Sequence, residues 1–375
     1  MRVSELVLVD TSPPGRPGSM GRYADLVWQC AQGPRGLPPV TRLRLALPYG
    51  VLACFSPRWR TWVHHAWLLA GRGRLSRGAT VVYHVLDGSH AYVADRLPGN
   101  RCIVTCHDLI PLLQLRKRLP GTPGPAAVRI IERSARALQR TGLVMAVSEN
   151  TQRDVEVLLG VSRDRCCVVP HALPLGWGMS PGHECGRQAP EAHVRPIMLH
   201  IGNNAPYKNR EGVVRVFAKV RGEMDARLVL AGAGRDALTG RIARELGVDS
   251  DIQWVQSPSD RRVEALYREA RLLLFPSLYE GFGWPVLEAM AVGCPVVAST
   301  AGSLPEVAGT AALLAGAHDE AGLAGACLRI LRDPECASRL AAQGRARAAE
   351  FTLERMAEGL MSAYARVGEN RLTSV

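Results

Sequence analysis

The segment Glu280-Gly-Phe-Gly-Trp-Pro-Val-Leu-Glu288 combines residue types and spacing that could do chemistry. An apolar run ends shortly before it, and Pro285 stands where a helix would begin. The N–H groups at a helix N-terminus can bind an anion, and Gly281 and Gly283 would let a phosphate approach the backbone closely. The segment therefore predicts a phosphate site at the start of this helix.

Each end of the segment carries a carboxylate. We expect Glu288 in the first turn of the helix, where it can accept hydrogen bonds from two vicinal hydroxyls, as an acidic residue does for ribose in dinucleotide folds. Glu280 lies in the preceding loop, one step nearer to a reacting group. In the structural alternative, Glu280 is a solvated loop residue and Glu288 only favours the helix dipole. Spacing alone does not decide between the two.

The elements around this segment follow a regular alternation. In the second half the predicted strands are 196–202, 226–231, 252–255, 272–275 and 295–298, and the predicted helices are 210–221, 236–246, 260–270 and one after Pro285. The first half shows the alternation less clearly, with predicted strands at 6–9, 80–84, 101–105, 143–147 and 167–169 and a helix at 126–139. This pattern predicts parallel, doubly wound sheets whose ligands sit beyond the carboxyl ends of the strands.

Composition shifts divide the chain. Residues 173–196 hold many Gly and Pro, as a linker does, and an amphipathic helix at 353–367 follows Thr352, which can cap it. We expect an N-terminal domain at 1–173, a linker at 174–195 and a C-terminal domain at 196–351. The helix within 352–375 is expected to pack back on the N-terminal domain.

The formal charge of the 375 residues is +12, and all of the excess lies in the first half. Residues 1–190 contain 24 Lys and Arg against 12 Asp and Glu, whereas residues 191–375 contain 22 of each. A basic surface usually serves an anionic partner. GC-rich coding is the alternative, because only three of the 46 basic residues are lysines.

The segment 35–77 mixes arginine with tryptophan. It contains Arg58, Arg60, Arg72, Arg74 and Arg77 beside Trp59, Trp62 and Trp67. Basic and aromatic side chains without a spanning run suit a membrane interface. The alternative is ordinary surface arginines with tryptophans in the core.

The composition argues against several classes of protein. No run reaches the roughly 18 to 20 apolar residues of a spanning helix, and the N-terminus is typical of a strand, not a signal peptide. No Cys-x2-Cys pair occurs, so Cys102, Cys106 and His107 are interpreted as strand core and not as a metal site. Aromatics total 5%, too few for a sheet that stacks nucleic-acid bases. We therefore expect a cytoplasmic protein with no nucleic-acid partner.

The segment 280–288 resembles the signature of the retaining family 4 glycosyltransferases of GT-B fold, also described as glycosyl transferases group 1. Further segments resemble the family in the same order, at 199–209, 289–299 and 301–306, and less specifically at 18–23, 105–109 and 147–149. The resemblance implies an α/β GT-B fold, in which two Rossmann-like doubly wound parallel-sheet domains face a central cleft. The N-terminal domain would bind the acceptor and the C-terminal domain the nucleotide sugar.

The resemblance also implies roles. Glu288 would hold the ribose hydroxyls of the donor, Glu280 would contact the transferred sugar, and Lys208 would neutralise the diphosphate as a point charge. His107 would face the transferred sugar from the other domain. The remaining donor-binding residues are expected to be Gly281, Phe282, Gly283, Gly202, Asn203 and Gly21. Structural alternatives remain: Lys208 as a surface lysine and His107 as a core histidine at a strand end.

Some positions depart from the family pattern. Asn203 and Tyr207 stand where many relatives carry a basic residue, so Lys208 has less cationic help unless Arg22 or Arg210 compensates. His171 replaces the usual Asn of a Pro-Asn-Gly sequence and is a candidate without an assigned role. Asp108 could simply cap the turn after it. The segment 231–236 lacks the third glycine of a dinucleotide fingerprint and is interpreted as a tight strand-to-helix turn.

Taken together, the residues and the resemblance predict a retaining glycosyltransferase. It would move a hexose of mannose or glucose type from a nucleoside diphosphate sugar to a glycan or polyprenyl-diphosphate-linked acceptor in cell-envelope polysaccharide synthesis. No cofactor and no metal are expected, and an anionic membrane surface is a candidate partner of the N-terminal domain. The alternatives are a GT-B nucleotide-sugar epimerase and a catalytically silent sugar-nucleotide-binding protein.

Overall fold

A computed structural model describes residues 4–14, 18–32, 38–71, 80–178 and 195–369. They form two units, each built on its own parallel sheet. The first unit contains the described residues up to Arg116, then Thr122–Ala172 and the residues from Thr352; the second contains Lys117–Gly121 and Leu173–Phe351. The α/β class with doubly wound parallel sheets is confirmed in both units. Most of the expected linker, residues 179–194, lies outside the described residues.

The first unit has a six-stranded sheet in the order β2-β1-β3-β4-β5-β6. Its strands are β1 (Glu5–Asp10), β2 (Val40–Arg44), β3 (Val81–Val85), β4 (Cys102–Cys106), β5 (Leu143–Ala146) and β6 (Cys166–Val168). Its helices before the second unit are α1 (Ser19–Ala31), α2 (Tyr49–Ala53), α3 (Pro57–Gly71), α4 (Ile110–Leu115), α5 (Pro125–Arg140) and α6 (Glu149–Leu159). The central strands β3, β4 and β5 are buried along their whole length, because helices cover both faces of a parallel sheet.

The second unit repeats this architecture, in the order β12-β11-β10-β7-β8-β9. Its strands are β7 (Ile197–Gly202), β8 (Arg227–Gly232), β9 (Ile252–Gln256), β10 (Leu272–Phe275), β11 (Val296–Ser299) and β12 (Ala312–Ala315). Its helices are α7 (Arg210–Arg221), α8 (Ala237–Glu245), α9 (Asp260–Glu269), α10 (Trp284–Ala291), α11 (Leu304–Ala308), α12 (Glu320–Arg332) and α13 (Pro334–Ala348). A buried apolar core in this unit joins α7 and α12 to the inner strands.

The last helix, α14 (Leu353–Glu369), belongs to the first unit. The Thr352 hydroxyl accepts a hydrogen bond from the Arg355 N–H at 3.2 Å, so the predicted cap is confirmed. At the other end, the Arg366 guanidinium donates to the carbonyls of Asp164 and Cys166. Among the helices that the structure describes, none is both long and apolar enough to cross a bilayer.

The edge strand β2 has no counterpart among the predicted strands. Three of its five residues are polar, and Arg42 on it pairs with Asp10 at 2.7 Å and with Asp25 at 2.7 Å. An edge strand with charged side chains lacks the continuous apolar run by which the central strands are recognised. Its pairing with β1 is a long-range contact, so no local sequence pattern predicts it.

Candidate active site

The strand order of the second unit brings two loops together. The chain starts at β7, winds through β8 and β9 on one side, and then returns to β10 on the other side of β7. The loops after β7 and β10 therefore leave neighbouring strands in opposite directions, which opens a crevice at the carboxyl edge of the sheet. Lys208 follows β7 and Glu280 follows β10, so sheet topology places both predicted residues at this point.

Lys208 and Glu280 form a two-pronged ion pair. The Lys208 Nζ atom donates to Glu280 Oε1 at 2.8 Å and to Oε2 at 3.0 Å. The Lys208 side chain is 14% exposed and that of Glu280 is 9% exposed, so the pair is largely removed from water. The two structural alternatives, a surface lysine and a solvated loop glutamate, do not describe these side chains. The pair brings an ammonium and a carboxylate to one place.

Aromatic rings surround the Lys208 ammonium. Its Nζ atom lies 5.3 Å from the centroid of the Phe275 ring and 5.4 Å from that of Tyr207. Both distances fall within the range of cation–π attraction. The lysine stem passes Gly202, where an added Cβ would lie 3.6 Å from two of the lysine methylene carbons. The rings and the stem contact favour a cation beside Glu280.

The Glu280 backbone is fixed by the turn after β11. The Ser303 N–H and hydroxyl both donate to the Glu280 carbonyl at 3.1 Å, and the same hydroxyl donates to the Phe282 carbonyl at 2.7 Å. Gly302 has φ +57°, and a Cβ there would overlap the Glu280 backbone. Only glycine permits this close approach. Ser303 and Gly302 belong to a segment that resembled the family, yet sequence reasoning gave them no role.

Asn209 is a further residue that sequence reasoning missed. Its backbone is left-handed, with φ 54°, and its Oδ1 accepts from the Gly212 N–H to cap α7. Its Nδ2 group donates to the carbonyls of Pro276 and Ala317, both at 3.0 Å. One side chain therefore ties the loops after β7, β10 and β12 together. The signal in the sequence was an Asn three residues before a helical Gly, at a helix start.

The glycines predicted to contact a phosphate lie between Glu280 and α10. Gly283 precedes the first residue of α10 and has φ +102°, and a Cβ there would meet the Leu304 side chain at 2.8 Å. Pro285 occupies the first turn of the helix, as predicted. Phe282 between the glycines is buried, with its ring 5.8 Å from that of Phe351 in an edge-to-face contact. The ring is part of the core, so its side chain does not line a ligand site.

The expected position of Glu288 in the first turn of α10 was wrong. The helix begins at Trp284, so Glu288 is its fifth residue and lies in the second turn. The helix starts one residue earlier than Pro285, because proline is tolerated throughout the first turn. Glu288 is 4% exposed, and its Oε2 accepts a hydrogen bond from the Tyr267 hydroxyl at 3.0 Å. Tyr267 therefore orients the carboxylate. The sequence around Tyr267 contains no pattern that predicts this role.

His200 is a buried group on β7 that the sequence did not single out. Its Nδ1–H donates to the Leu274 carbonyl at 3.1 Å, and its ring stacks on Phe275. Its Nε2 lies close to Gly202 and has no hydrogen-bond partner among the described residues. Burial, with the charges of Arg210 and Lys208, lowers the pKa of His200 to about 3, so the imidazole is neutral.

The remaining residues of this edge shape its loops. Asn203 is exposed, and its Oδ1 accepts from the Ala205 N–H at 3.0 Å. Arg210 is buried, and its guanidinium donates to the Gly234 carbonyl at 3.2 Å and lies 5.3 Å from the Trp254 ring. Arg210 therefore holds the turn after β8 and is not placed beside Lys208 as a second free cation. Gly232 in that turn has φ +117° and packs against Gly202, which supports the interpretation as a tight turn.

In the first unit, His107 follows β4 at the carboxyl edge of its sheet. The ring is 8% exposed, and its Nε2–H donates to the Leu86 carbonyl at 2.8 Å. Burial lowers the pKa of His107, although the nearby Asp87 charge partly opposes this, so the ring is neutral at pH 7. Its Nδ1 therefore carries a lone pair, and that atom has no hydrogen-bond partner among the described residues. A neutral acceptor of this kind can receive a hydrogen bond from a hydroxyl.

Two rings enclose His107. The Tyr23 ring meets it edge-on at 4.6 Å, and His171 stacks on it at 5.3 Å. Burial also lowers the pKa of His171, and the neighbouring His107 adds to this. The structure thus brings the unassigned candidate His171 into direct contact with a predicted catalytic residue.

A buried chain of hydrogen bonds supports this cluster. The Tyr23 hydroxyl bonds the Thr105 hydroxyl at 2.8 Å, and Thr105 bonds His84 Nε2 at 2.7 Å. The other nitrogen of His84 bonds the Tyr364 hydroxyl of α14 at 2.9 Å. The C-terminal helix is therefore connected by side chains to the ring that packs on His107.

One expectation for the first unit changes, and another is confirmed. The segment 18–23 is not a loop, because α1 begins at Ser19 and Gly21 lies inside its first turn. Asp108 accepts a hydrogen bond from the Ile110 N–H at 2.9 Å, so it does cap the turn before α4. Cys102 and Cys106 lie in the buried strand β4, and burial raises the pKa of both thiols. Within the described ranges, no three His, Cys, Asp or Glu side chains converge to hold a metal ion.

Comparisons with known proteins match both units. The family model "Glycosyltransferase Family 4" matches residues 25–176, and the model "Glycosyl transferases group 1" matches residues 187–347. The O-antigen chain mannosyltransferase B of Escherichia coli is 29% identical over 290 residues, which cover 76% of this chain and 74% of that protein.

Solved structures agree with the fold. Sucrose-phosphate synthase from Thermosynechococcus elongatus superposes with a TM-score of 0.73 at 20% identity, over 97% of this chain and 99% of the other. HepE from Anabaena, in complex with UDP and glucose, superposes with a TM-score of 0.69 at 16% identity, over 96% and 99%. The structural matches cover nearly the whole chain and therefore include both sheets. The chain belongs to glycosyltransferase family 4 and has the GT-B fold.

Proposed function

We propose that the chain transfers a hexose, of mannose or glucose type, from a nucleoside diphosphate sugar to a hydroxyl of a glycan or lipid-linked acceptor. In this proposal the anomeric configuration is retained. The observation that carries the proposal is the Lys208–Glu280 pair, which holds an ammonium and a carboxylate together just before the N-terminus of α10. That combination suits a ligand with an anionic diphosphate and a polyhydroxylated sugar.

The barrier to this reaction lies in breaking the bond between the anomeric carbon and the diphosphate oxygen. The electron pair of that bond stays on the diphosphate, while the acceptor oxygen forms the new bond on the same face of the sugar. The acceptor proton passes to the departing diphosphate oxygen. Lys208 and the N–H groups of α10 would stabilise the leaving charge, and stabilisation of developing charge usually contributes most to the rate enhancement of an enzyme. The scheme requires no nucleophile from the protein.

Each candidate side chain then has a task. Lys208 moves from Glu280 to the diphosphate, and the freed Glu280 carboxylate accepts hydrogen bonds from hydroxyls of the transferred sugar. Glu288, oriented by Tyr267, receives the ribose hydroxyls. Gly202, Asn203 and Gly281–Gly283 line the donor, and no divalent metal takes part. The neutral His107 accepts a hydrogen bond from a sugar hydroxyl through Nδ1, and Gly21 stays a proposed donor contact.

Relatives support the class of substrate. One is named an O-antigen chain mannosyltransferase, and a structural neighbour was solved with UDP and glucose. We therefore place the reaction in cell-envelope polysaccharide synthesis, as a cytoplasmic step that uses a mannosyl or glucosyl donor. The acceptor is proposed to be a growing glycan, free or linked to a polyprenyl diphosphate.

The test incubates the purified chain with a panel of nucleoside diphosphate sugars, with and without a lipid-linked acceptor extract and with and without EDTA. We expect nucleotide release that depends on acceptor and a product whose anomeric proton has the donor configuration by NMR. Sugar interconversion without acceptor would instead establish the epimerase, and donor binding without any turnover the silent binding protein. An inverted product would contradict retention, and loss of activity in EDTA would contradict metal independence.

The role of Glu288 is tested by binding alone. Glu288→Gln removes the negative charge but leaves an oxygen that can still accept from the Tyr267 hydroxyl. We expect donor affinity to fall by about tenfold to a hundredfold, since two charge-assisted hydrogen bonds become neutral ones. Tyr267→Phe is the matched control, with a smaller loss of affinity. Unchanged affinity in Glu288→Gln would remove this residue from the donor site.

A further inference from the structure

Helices α2 and α3 of the first unit present a row of large apolar side chains to solvent. Val51 is 47% exposed, Phe55 39%, Trp59 65%, Trp62 54% and Trp67 40%. The sequence alternative, in which the tryptophans belong to the core, is wrong for these three. Single exposed apolar residues are ordinary, but three tryptophans exposed on one helix form a patch that calls for a partner.

The row follows the helical repeat. Trp59, Trp62, Ala66 and Ala70 are spaced by three, four and four residues, so they share one face of α3, and all four are exposed. Trp67 lies next to this face, and Leu68 on the opposite face is fully buried. Of the α3 side chains that the structure describes, every exposed one is apolar. The face is therefore a continuous apolar strip along the length of the helix.

Arg60 fixes α3 to α2. Its guanidinium donates to the Leu52 carbonyl at 3.1 Å and to the Phe55 carbonyl at 3.2 Å, and it lies 5.6 Å from the Tyr49 ring. The Leu52 carbonyl lies in the last turn of α2, where a cation is favourable, and the Phe55 carbonyl lies in the turn that follows. Arg60 therefore ties α3 to the segment that carries the exposed Val51 and Phe55.

The sequence segment that contains this surface is strongly basic, although Arg35, Arg72, Arg74 and Arg77 lie outside the described residues. Residues 26–86 contain eight arginines and no Asp or Glu. An anionic partner is therefore favoured over a neutral one. A second copy of the same face is disfavoured, because a symmetric dimer would bring the two basic segments against each other.

We propose that the face formed by Val51, Phe55, Trp59, Trp62 and Trp67 docks on the surface of an anionic lipid bilayer. Tryptophan rings favour the headgroup region, where one part of the ring is apolar and the N–H is wet. Arginines of the same sequence segment would gain from the negative surface potential of such a membrane. The face lies in the interface and does not cross the membrane, since α3 has only 15 residues.

Vesicle binding of the full chain tests this surface without donor or acceptor, so failure here would leave the proposed sugar transfer untouched. The vesicles are phosphatidylcholine alone, or with about 30% phosphatidylglycerol, some of it brominated to quench tryptophan fluorescence. We expect binding and quenching with the anionic vesicles and weakening as salt is raised. Binding that is equal on neutral vesicles, or absent on both, would overturn the proposal.

The paired variant Trp59→Ser, Trp62→Ser removes the two most exposed rings and should leave the fold intact, because neither ring is buried. We expect its partition onto anionic vesicles to fall by at least about tenfold. Val157→Ser, at a residue 69% exposed on α6 of the same unit, is the matched control and should bind as the unchanged chain does. Equal binding by the paired variant, or an equal loss in the control, would contradict the assignment. Sedimentation showing a dimer that the paired variant abolishes would assign the face to a second copy instead.

Discussion

Both sheets are six-stranded and parallel, yet they place different chemistry at their carboxyl edges. The second unit holds opposite charges there, Lys208 and Glu280, joined by two hydrogen bonds and set beside the N-terminus of α10. The first unit holds neutral rings, His107 and His171, whose pKa values are lowered by burial. A charged pair can exchange partners with a diphosphate, whereas a neutral imidazole can accept a hydroxyl proton in a hydrogen bond without adding charge.

The difference follows from which partners the buried polar side chains have at each edge. In the second unit a carboxylate and an ammonium are buried as a pair, so the attraction between them offsets the free-energy cost of removing each charge from water. In the first unit the rings face carbonyls and other rings, and no carboxylate pairs with His107 directly, among its described contacts. Desolvation then favours the uncharged form. The same architecture therefore supports an electrostatic site in one unit and a hydrogen-bonding site in the other.

The largest effect should come from Lys208→Met, which removes the ammonium from the carboxyl edge of the second sheet. We expect turnover to fall by about a hundredfold to a thousandfold, because the leaving diphosphate loses its ammonium. The free energy of unfolding should fall by about 3 kcal/mol, since the Glu280 carboxylate is left buried without a partner. Steady-state kinetics and urea unfolding measure the two effects.

The double variant Lys208→Met, Glu280→Gln separates these effects. Removing both charges should bring stability back to within about 1 kcal/mol, while turnover stays low. Recovered turnover would show that the pair is only structural. Arg332→Ala, which breaks the exposed pair with Glu223, is the control and should change stability by no more than about 1 kcal/mol.

The next largest effect on turnover should come from His107, at the carboxyl edge of the first sheet. Two substitutions of this residue separate its effects on turnover and stability. His107→Gln keeps a donor for the Leu86 carbonyl but removes the Nδ1 acceptor, so turnover should fall by about tenfold to a hundredfold with little loss of stability. His107→Asn keeps an oxygen near the Nδ1 position but loses the Leu86 bond, so it should be less stable and more active than His107→Gln. The opposite order would assign His107 to the core alone.

A moderate effect is expected from Asn209, which fixes the loops of the charged edge. Asn209→Gly keeps the left-handed backbone but loses three hydrogen bonds, and the free energy of unfolding should fall by about 2–3 kcal/mol. Asn209→Ala should cost about 1 kcal/mol more, because φ 54° is unfavourable for alanine. Thermal unfolding of both variants measures the difference, and equal stability would show that the backbone strain is relieved elsewhere.

The smallest effect at pH 7 comes from the buried histidines, which change the stability only at lower pH. The pKa of His200 is lowered to about 3 and that of His84 to about 3, against about 6.5 in an unfolded chain. The unfolded chain binds more protons below pH 6.5, so the stability from each histidine is fully present above pH 6.5 and falls as the pH drops towards 3. His200→Gln should flatten the pH dependence of the unfolding free energy by up to about 1.4 kcal/mol per pH unit in this window. An unchanged slope would mean that His200 is protonated in the folded protein.

Residue patterns predicted most of the elements. The buried strands β3, β4, β5, β7, β8 and β10 are apolar runs, and the predicted helices α8 and α9 begin at side chains that cap them, Asp236 and Ser259. Such signals are local, so they can be read from a short window. The edge strand β2 was missed because its polarity depends on its place in the sheet. The first turn of α10 was misplaced by one residue, which moved Glu288 into the second turn.

The sequence by itself determined the α/β class, the order of the motifs and the identity of Glu280, Glu288, Lys208 and His107 as candidates. The tertiary structure decided which of them meet: Lys208 and Glu280 are 72 positions apart and are paired only because β7 and β10 are neighbours. It also decided the protonation of the histidines and the supporting tasks of Asn209, Ser303 and Tyr267. Partners and desolvation depend on strand order and burial, and these arise only when distant segments pack together.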